Sequence, residues 1–190
     1  ALTLTSSLKE CTDFEECRQQ RIIDDEVSCS GYNSCSYSRL IKSSTDIACT
    51  GAGSCGRSNL RAVTGNVYCD GASSCLAGSG FDNFINARII TCGGDNACQY
   101  HNMDSAEVNA KTLLYCSGDY SCYYNRAITA GKSVDCNGRF ACERAEMKIG
   151  MTLFSRSKPL LSLDRKLDAM YTNYIYITGK DLYCGGSSSC

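Results

Sequence analysis

Sixteen of the 190 residues are cysteines, and all of them fall into one pattern, two cysteines flanking five other residues. The pairs are Cys11/Cys17, Cys29/Cys35, Cys49/Cys55, Cys69/Cys75, Cys92/Cys98, Cys116/Cys122, Cys136/Cys142 and Cys184/Cys190. Zinc sites favour Cys-x-x-Cys pairs or cysteine mixed with histidine. Here the gap is five residues and the single histidine is His101. An even number of cysteines at regular spacing predicts a disulfide framework instead, and such frameworks persist in oxidising compartments. We therefore expect a secreted protein, extracellular or at a cell surface, with no metal and no cofactor.

Other reactive groups are sparse. Asp70, Asp95, Asp119 and Asp135 are spread among different repeats, and Asp24-Asp25 is the only adjacent aspartate pair. Polysaccharide lyases and hydrolases built on parallel β-helices need clustered carboxylates or an acid pair at a defined separation. No such pair follows a cysteine cassette, Asp24-Asp25 reads as a solvated turn, and His101 stands alone. Gly93-Gly94-Asp95 is one unrepeated fragment of a calcium-solenoid motif, and Leu2-Thr3-Leu4-Thr5 does not recur as an ice-binding column would require. The expectation is a protein that is not an enzyme.

The elements that position the cysteines are themselves a repeat. Successive cassettes begin 18, 20, 20, 23, 24, 20 and 48 residues apart, the period of a solenoid or an array. Two positions before the first cysteine stands Val27, Ile47, Val67, Ile90, Leu114, Val134 or Leu182 in seven of eight repeats. The residue between varies in polarity, so the apolar residue and the cysteine share the inner face of a short strand. Glycine follows two residues after the first cysteine in seven repeats (Gly31, Gly51, Gly71, Gly94, Gly118, Gly138, Gly186). A fixed glycine in a bend signals a positive φ or a close backbone approach. A small residue precedes the second cysteine (Ser34, Ser54, Ser74, Ala97, Ser121, Ala141, Ser189), and the fifth residue after it is often apolar (Ile22, Leu40, Leu60, Met103, Met147), which predicts a second inward strand.

Each unit then reads as strand, glycine corner, strand and return, and only stacking buries its apolar faces. The fold class is all-β: a disulfide-stapled parallel β-helix of eight to nine coils, roughly 40 Å long at roughly 4.8 Å per coil. The whole chain, 1–190, forms one solenoid domain. Residues 1–28 make a divergent first coil, 29–149 regular coils, 150–181 a coil without cysteines or an insertion, and 182–190 the last coil. Pairing within each cassette is favoured over a ladder between coils because a glycine bend returns two cysteines six apart to bonding distance; sequence alone leaves both open. The first cassette carries Asp13 in place of glycine and precedes the charged run Arg18 to Glu26, which suggests a capping coil or an element that contacts a neighbour. The 48-residue interval contains Pro159, an amphipathic stretch Ser162 to Met170 predicted as a short helix, and a strand-like run Tyr174-Ile175-Tyr176-Ile177-Thr178. Its helix packs on the solenoid or docks another subunit.

The cassette resembles the Cys-x-Gly-x-x-Ser-Cys repeats of cysteine-rich β-solenoid proteins secreted or displayed by protists, stramenopiles among them. Cys49-Thr50-Gly51-Ala52-Gly53-Ser54-Cys55 and Cys69-Asp70-Gly71-Ala72-Ser73-Ser74-Cys75 match in full, and the resemblance covers about Cys29 to Cys142 and Leu182 to Cys190. It implies a structural role, in settings such as mastigoneme-like flagellar hairs or cell coats, and brings no catalytic residues.

Partners follow from charge and from the outward residues. Nineteen basic against twenty acidic residues, a net charge of −1 and no basic block make nucleic acid an unexpected partner. No stretch is long and apolar enough for a membrane span. No asparagine opens a glycosylation triplet, and the chain opens at Ala1 without a charged-then-apolar leader, as removal of a signal peptide would leave it. Two residues after the second cysteine runs a column of Tyr37, Arg57, Ala77, Tyr100, Tyr124 and Arg144, with Tyr123 beside it. Tyrosine offers large contact area at low entropic cost, so this outward stripe, with Tyr174 and Tyr176 of the long interval, suits a glycan or another protein. The last cassette stops at Cys190 with no return strand, an unpaired edge that templates further pairing. The reading is a structural subunit of an extracellular filament, sheath or appendage, self-assembling or joining other subunits through solenoid ends and lateral contacts. The alternative is a secreted carbohydrate-binding or adhesion module that uses the tyrosine stripe.

Overall fold

The computed structural model describes residues 7–78, 83–99, 107–125, 128–143, 145, 147–149, 175–177 and 181–185. It is an all-β parallel β-solenoid held by disulfide staples, with no helix among the described residues. Two walls are β-sheet. The cassette wall stacks β1 (Leu8–Cys11), β3 (Glu26–Cys29), β5 (Ile47–Cys49), β7 (Val67–Cys69), the second halves of β8 (Phe84–Cys92) and β9 (Glu107–Cys116), then β11 (Ser133–Cys136) and β14 (Asp181–Cys184). The return wall stacks β2 (Arg21–Asp24), β4 (Leu40–Ser43), β6 (Leu60–Ala62), the first halves of β8 and β9, β10 (Ile128–Ala130), β12 (Met147–Ile149) and β13 (Ile175–Ile177). All these pairs are parallel, and on the cassette wall the register sets cysteine against cysteine: Cys11 opposite Cys29, Cys29 opposite Cys49, Cys92 opposite Cys116.

The inward columns make the core. Val27, Ile47, Val67, Ile90, Leu114 and Val134 are fully buried on the cassette wall, as period-2 alternation predicts. On the return wall the column is Ile22, Ile41, Leu60, Ile85, Val108 and Ile128. This corrects the expected column by one residue in the second coil. Ile41 is buried opposite Ile22, whereas Leu40 is half-buried opposite Arg21. The intervals of 23 and 24 residues carry their additional residues before the return strand, so Ile85 and Val108 take the inward places, and Met103 lies outside the described residues.

The coil count is also corrected: the described residues complete about six turns, not eight or nine. Cassettes count rungs, and the rungs from Cys11 to Cys136 bound one fewer turn than their own number; the next rung, β14, comes only after the long interval. At roughly 4.8 Å per coil this stack is roughly 30 Å long. The expected helix over Ser162 to Met170 lies outside the described residues. Within the strand-like run, Ile175–Ile177 form β13 on β12, and β14 pairs directly with β11, Cys184 opposite Cys136.

The third wall is the bend itself, and it is a hydrogen-bonded ladder rather than a loose corner. The first-cysteine carbonyls from Cys11 to Cys116 each accept two amides from the next coil: Ser30 and Gly31 donate to Cys11, Thr50 and Gly51 to Cys29, and Asp70 and Gly71 to Cys49. Two donors on one oxygen draw the backbones together. A Cβ on Gly31, Gly51, Gly71, Gly94, Gly118 or Gly138 would fall under 3.0 Å from a carbonyl oxygen of the coil before it. Close approach, not positive φ, is therefore what that glycine column serves.

Positive φ falls elsewhere in the bend. All seven described second cysteines (Cys17, Cys35, Cys55, Cys75, Cys98, Cys122 and Cys142) have φ between 52° and 60°, and Glu15, Asn33, Ser73, Asn96, Tyr120 and Phe140, two residues before them, fall in the same range. The left-handed region disfavours L-residues by about 1–2 kcal/mol each, so it needs compensation. The ladder provides it: Cys35 N–H donates to Glu16 O at 2.8 Å, Cys55 N–H to Ser34 O at 2.9 Å and Cys98 N–H to Ser74 O at 3.1 Å, while Asn33 N–H reaches forward to Ala52 O at 2.9 Å. These bends bond the coil on either side.

Candidate interaction surface

The sulfur atoms are committed to one another. Seven disulfides close within their own cassettes: Cys11–Cys17, Cys29–Cys35, Cys49–Cys55, Cys69–Cys75, Cys92–Cys98, Cys116–Cys122 and Cys136–Cys142, with Cα separations of 5.9 to 6.1 Å. This resolves the pairing left open by the sequence for those seven; Cys190, and so the Cys184/Cys190 pair, lies outside the described residues. The sulfurs of Cys11, Cys29 and Cys35 lie within 4.8 Å of one another, as do those of Cys92, Cys116 and Cys122. Cys98 belongs to neither trio, although it is the bonded partner of Cys92. As disulfide sulfurs they offer no thiolate, and the clusters form a stack of staples rather than a ligand set. That stack lies in the core: Cys35, Cys55, Cys98 and Cys122 are fully buried, so these cysteines support the bend from behind and form no part of its outer surface.

The outer surface of the bend carries two aromatic patches, and Tyr115 and Tyr183 are exposed apart from them on the cassette wall. Tyr37 sits between two guanidinium groups, Arg18 at 4.9 Å and Arg57 at 5.0 Å from its ring centroid. Arg57 also donates to the Tyr37 hydroxyl at 2.6 Å, and Arg18 pairs with Glu15 at 2.6 Å. Alongside, Phe14 and Tyr32 stack at 5.7 Å with planes 5° apart, and they are 68% and 57% exposed. Ala77, the next residue of the expected stripe, is buried and interrupts it.

A second patch follows on later coils. Tyr120 stacks on Phe140 at 4.9 Å and meets Tyr123 edge-on at 5.7 Å, Tyr123 contacts Tyr124 at 5.7 Å, and the Arg139 guanidinium lies 4.9 Å over Phe140. Tyr120 and Tyr124 are exposed. Tyr100, Arg144 and Tyr174 lie outside the described residues. The backbone of Tyr176 is in β13, opposite Lys148. Phe14, Tyr32, Tyr120 and Phe140 were missed by the sequence reading because they stand three or four residues after the first cysteine, a column it did not follow. The acids of that column have structural work: Asp95 accepts from Asp119 N–H at 3.1 Å, and Asp119 from Arg139 N–H at 3.0 Å.

The first described coil differs from the later ones at its bend. In later coils the two amides after the first cysteine donate to the coil before; in the first coil Thr12 N–H and Asp13 N–H donate to Glu16 Oε2 at 2.7 and 3.1 Å. Glu16 occupies the column that holds buried serine or alanine elsewhere, and its carboxylate takes the place of that carbonyl. Those two amides, Asp13 first and Thr12 second, hold the Glu16 carboxyl below its ordinary value. Asp24 is likewise lowered, by the Ser7 hydroxyl and then by the Asp25 amide. Asp13 itself fills the glycine column, with its Cβ on the side where a preceding coil would press its backbone. At the later positions of this column a Cβ would fall under 3.0 Å from the coil before.

No protein-family model, no curated protein and no solved structure matches this chain.

Proposed function

We propose that this chain is a structural subunit of an extracellular sheath, filament or appendage, in which a stapled solenoid holds its bend wall as a rigid contact surface. The observation that carries the reading is the pair of exposed aromatic patches, Phe14–Tyr32 and Tyr120–Phe140, on a backbone fixed by disulfides and by hydrogen bonds to neighbouring coils. Exposed aromatic surface on a rigid scaffold is characteristic of protein contacts. Disulfides in each described coil favour an oxidising setting, and the resemblance of the cassettes to secreted protist repeats points toward a flagellar hair or a coat. The capped first coil favours lateral contacts, or growth from the opposite end, over stacking on the N-terminal end.

Sedimentation velocity in non-reducing buffer tests this. Wild-type protein is expected to associate as concentration rises, and Tyr32→Ala with Tyr120→Ala is expected to shift it to monomer with little change in melting temperature. A monodisperse wild-type monomer at the highest concentration overturns the proposal, as does glycan binding by the bend wall without self-association.

A further inference from the structure

The return wall carries a feature that the assembly reading does not use. Successive coils each place one cation outward: Lys42, Arg61, Arg88, Lys111 and Lys132. Lys42 and Arg61 are cross-strand neighbours, Arg61 pairs with Asn86, and Arg88 points outward two residues further along the same strand. Lys111 reaches back across a coil, its Nζ donating to the Val63 carbonyl at 3.0 Å, two residues from Arg61. Arg88 donates to Asn66 Oδ1 at 3.4 Å. Both cations are therefore positioned by neutral acceptors, which fix them without cancelling their charge. The one ion pair among the described residues is Arg18–Glu15, on another wall. Asp46, at the neighbouring corner, accepts from Asn66 N–H instead. Like charges held side by side repel, and a bound anion relieves that cost.

We propose that this ridge binds a linear acidic polysaccharide, its carboxylate or sulfate groups meeting Arg61, Arg88 and Lys111. One cation per coil at roughly 4.8 Å repeats on about the length of one sugar unit. Asn86, Asn109 and Thr129 continue the outward column beside the ridge and supply neutral hydrogen-bonding groups suited to hydroxyls. Single-stranded nucleic acid is disfavoured because the described rings beside the ridge, Phe84 and Tyr68, are half-buried and do not repeat from coil to coil as a stacking platform would. The acidic first coil of a second copy is disfavoured because Glu16 and Asp24 already engage their own coil, and one coil end cannot span a ridge that crosses five coils.

Binding of the intact chain to polygalacturonate, dextran sulfate and neutral dextran, by calorimetry at several salt concentrations, tests the site. The two acidic polymers are expected to bind with affinity that falls as salt rises, and neutral dextran not to bind. Arg61→Gln with Arg88→Gln and Lys111→Gln is expected to lose at least tenfold in affinity, and Arg139→Gln, on the bend wall, to lose less than twofold. The three sites are exposed, so the melting temperature checks that the variant is folded, and each single substitution gives a graded loss if the triple variant is not. Equal binding of neutral dextran, retention of affinity by the single and triple variants, or tighter binding of a single-stranded oligonucleotide overturns the proposal. So does self-association of the wild type that the triple variant abolishes without any acidic polymer binding.

Discussion

Gly31 lies one coil above Asp13, and the space a Gly31 Cβ would enter is filled by the Asp13 carbonyl oxygen. The same relation repeats upward through Gly51, Gly71, Gly94, Gly118 and Gly138, so the glycine of each coil is required by the coil before it. Asp13 tolerates its side chain because, among the described residues, no regular coil presses on it. Two opposite outcomes follow. Gly71→Ala inserts a methyl group between backbones and is expected to cost at least about 1–3 kcal/mol, read as a lower melting temperature. Asp13→Gly is expected to leave that temperature nearly unchanged.

Acid should loosen the first coil before the others. A carboxyl whose folded pKa is lowered contributes stability above its unfolded value, and loses it as pH falls through the folded value. For Glu16 the ordinary value is 4.5, so its contribution is complete above that pH and fades below it. Asp24 follows from an ordinary value of 3.8. Amide exchange at Thr12 and Asp13 is expected to rise as pH drops below about 4.5 relative to that at Thr50 and Gly51, with intrinsic exchange rates divided out. In Glu16→Gln that pH dependence should be weaker; an unchanged profile would count against the cap.

Two buried serines separate paired from unpaired hydroxyls. Ser58 Oγ donates to the Cys35 carbonyl at 2.9 Å and accepts from Ser38 N–H at 2.9 Å. Ser58→Ala strands those groups and is expected to cost about 1–3 kcal/mol in chemical denaturation. Ser54 is equally buried with no hydrogen-bond partner for its hydroxyl, and alanine already fills its column at Ala97 and Ala141. Ser54→Ala is expected to be neutral or stabilising.

Removing a staple should be local in its cost. Each disulfide closes a short loop, worth about 2 kcal/mol on the chain-entropy model. Cys69→Ala with Cys75→Ala is expected to lower stability by about that amount plus the cavity cost of two buried sulfurs. Peptide mass mapping should find the other six described bonds intact, including Cys92–Cys98 on the next coil. Mixed pairing between cassettes in the wild type would contradict the staple arrangement.

The solenoid was readable because its signals are periodic. Val27, Ile47 and Val67 recur at a constant distance from cysteine, and alternation about them specifies a strand face. Leu40 was misplaced because Ile41 follows it; two adjacent apolar residues carry no alternation to choose between them. The bend wall was illegible for a deeper reason. Its regularity lies in φ angles that cysteine, asparagine, serine and tyrosine all adopt here, and no residue-type pattern announces them. Asp13 was visible as an exception, yet its meaning depends on the direction of its Cβ, which only stacked coils reveal. The return-wall cations were scattered in sequence because coil lengths vary, and pairing alone brings Lys42 beside Arg61.

The seven described disulfides tie each coil to itself and none ties one coil to the next. Along the axis the coils are joined by single passages of backbone and by hydrogen bonds between neighbours. Under tension such a stack yields one coil at a time: a peeled coil releases its return segment while its staple keeps the cassette loop closed. With roughly 3.4 Å per extended residue, each release lengthens the chain by roughly ten times the rung spacing. The expected mechanics are stiffness against bending and stepwise extension under pulling, with a stop at each of the seven described staples.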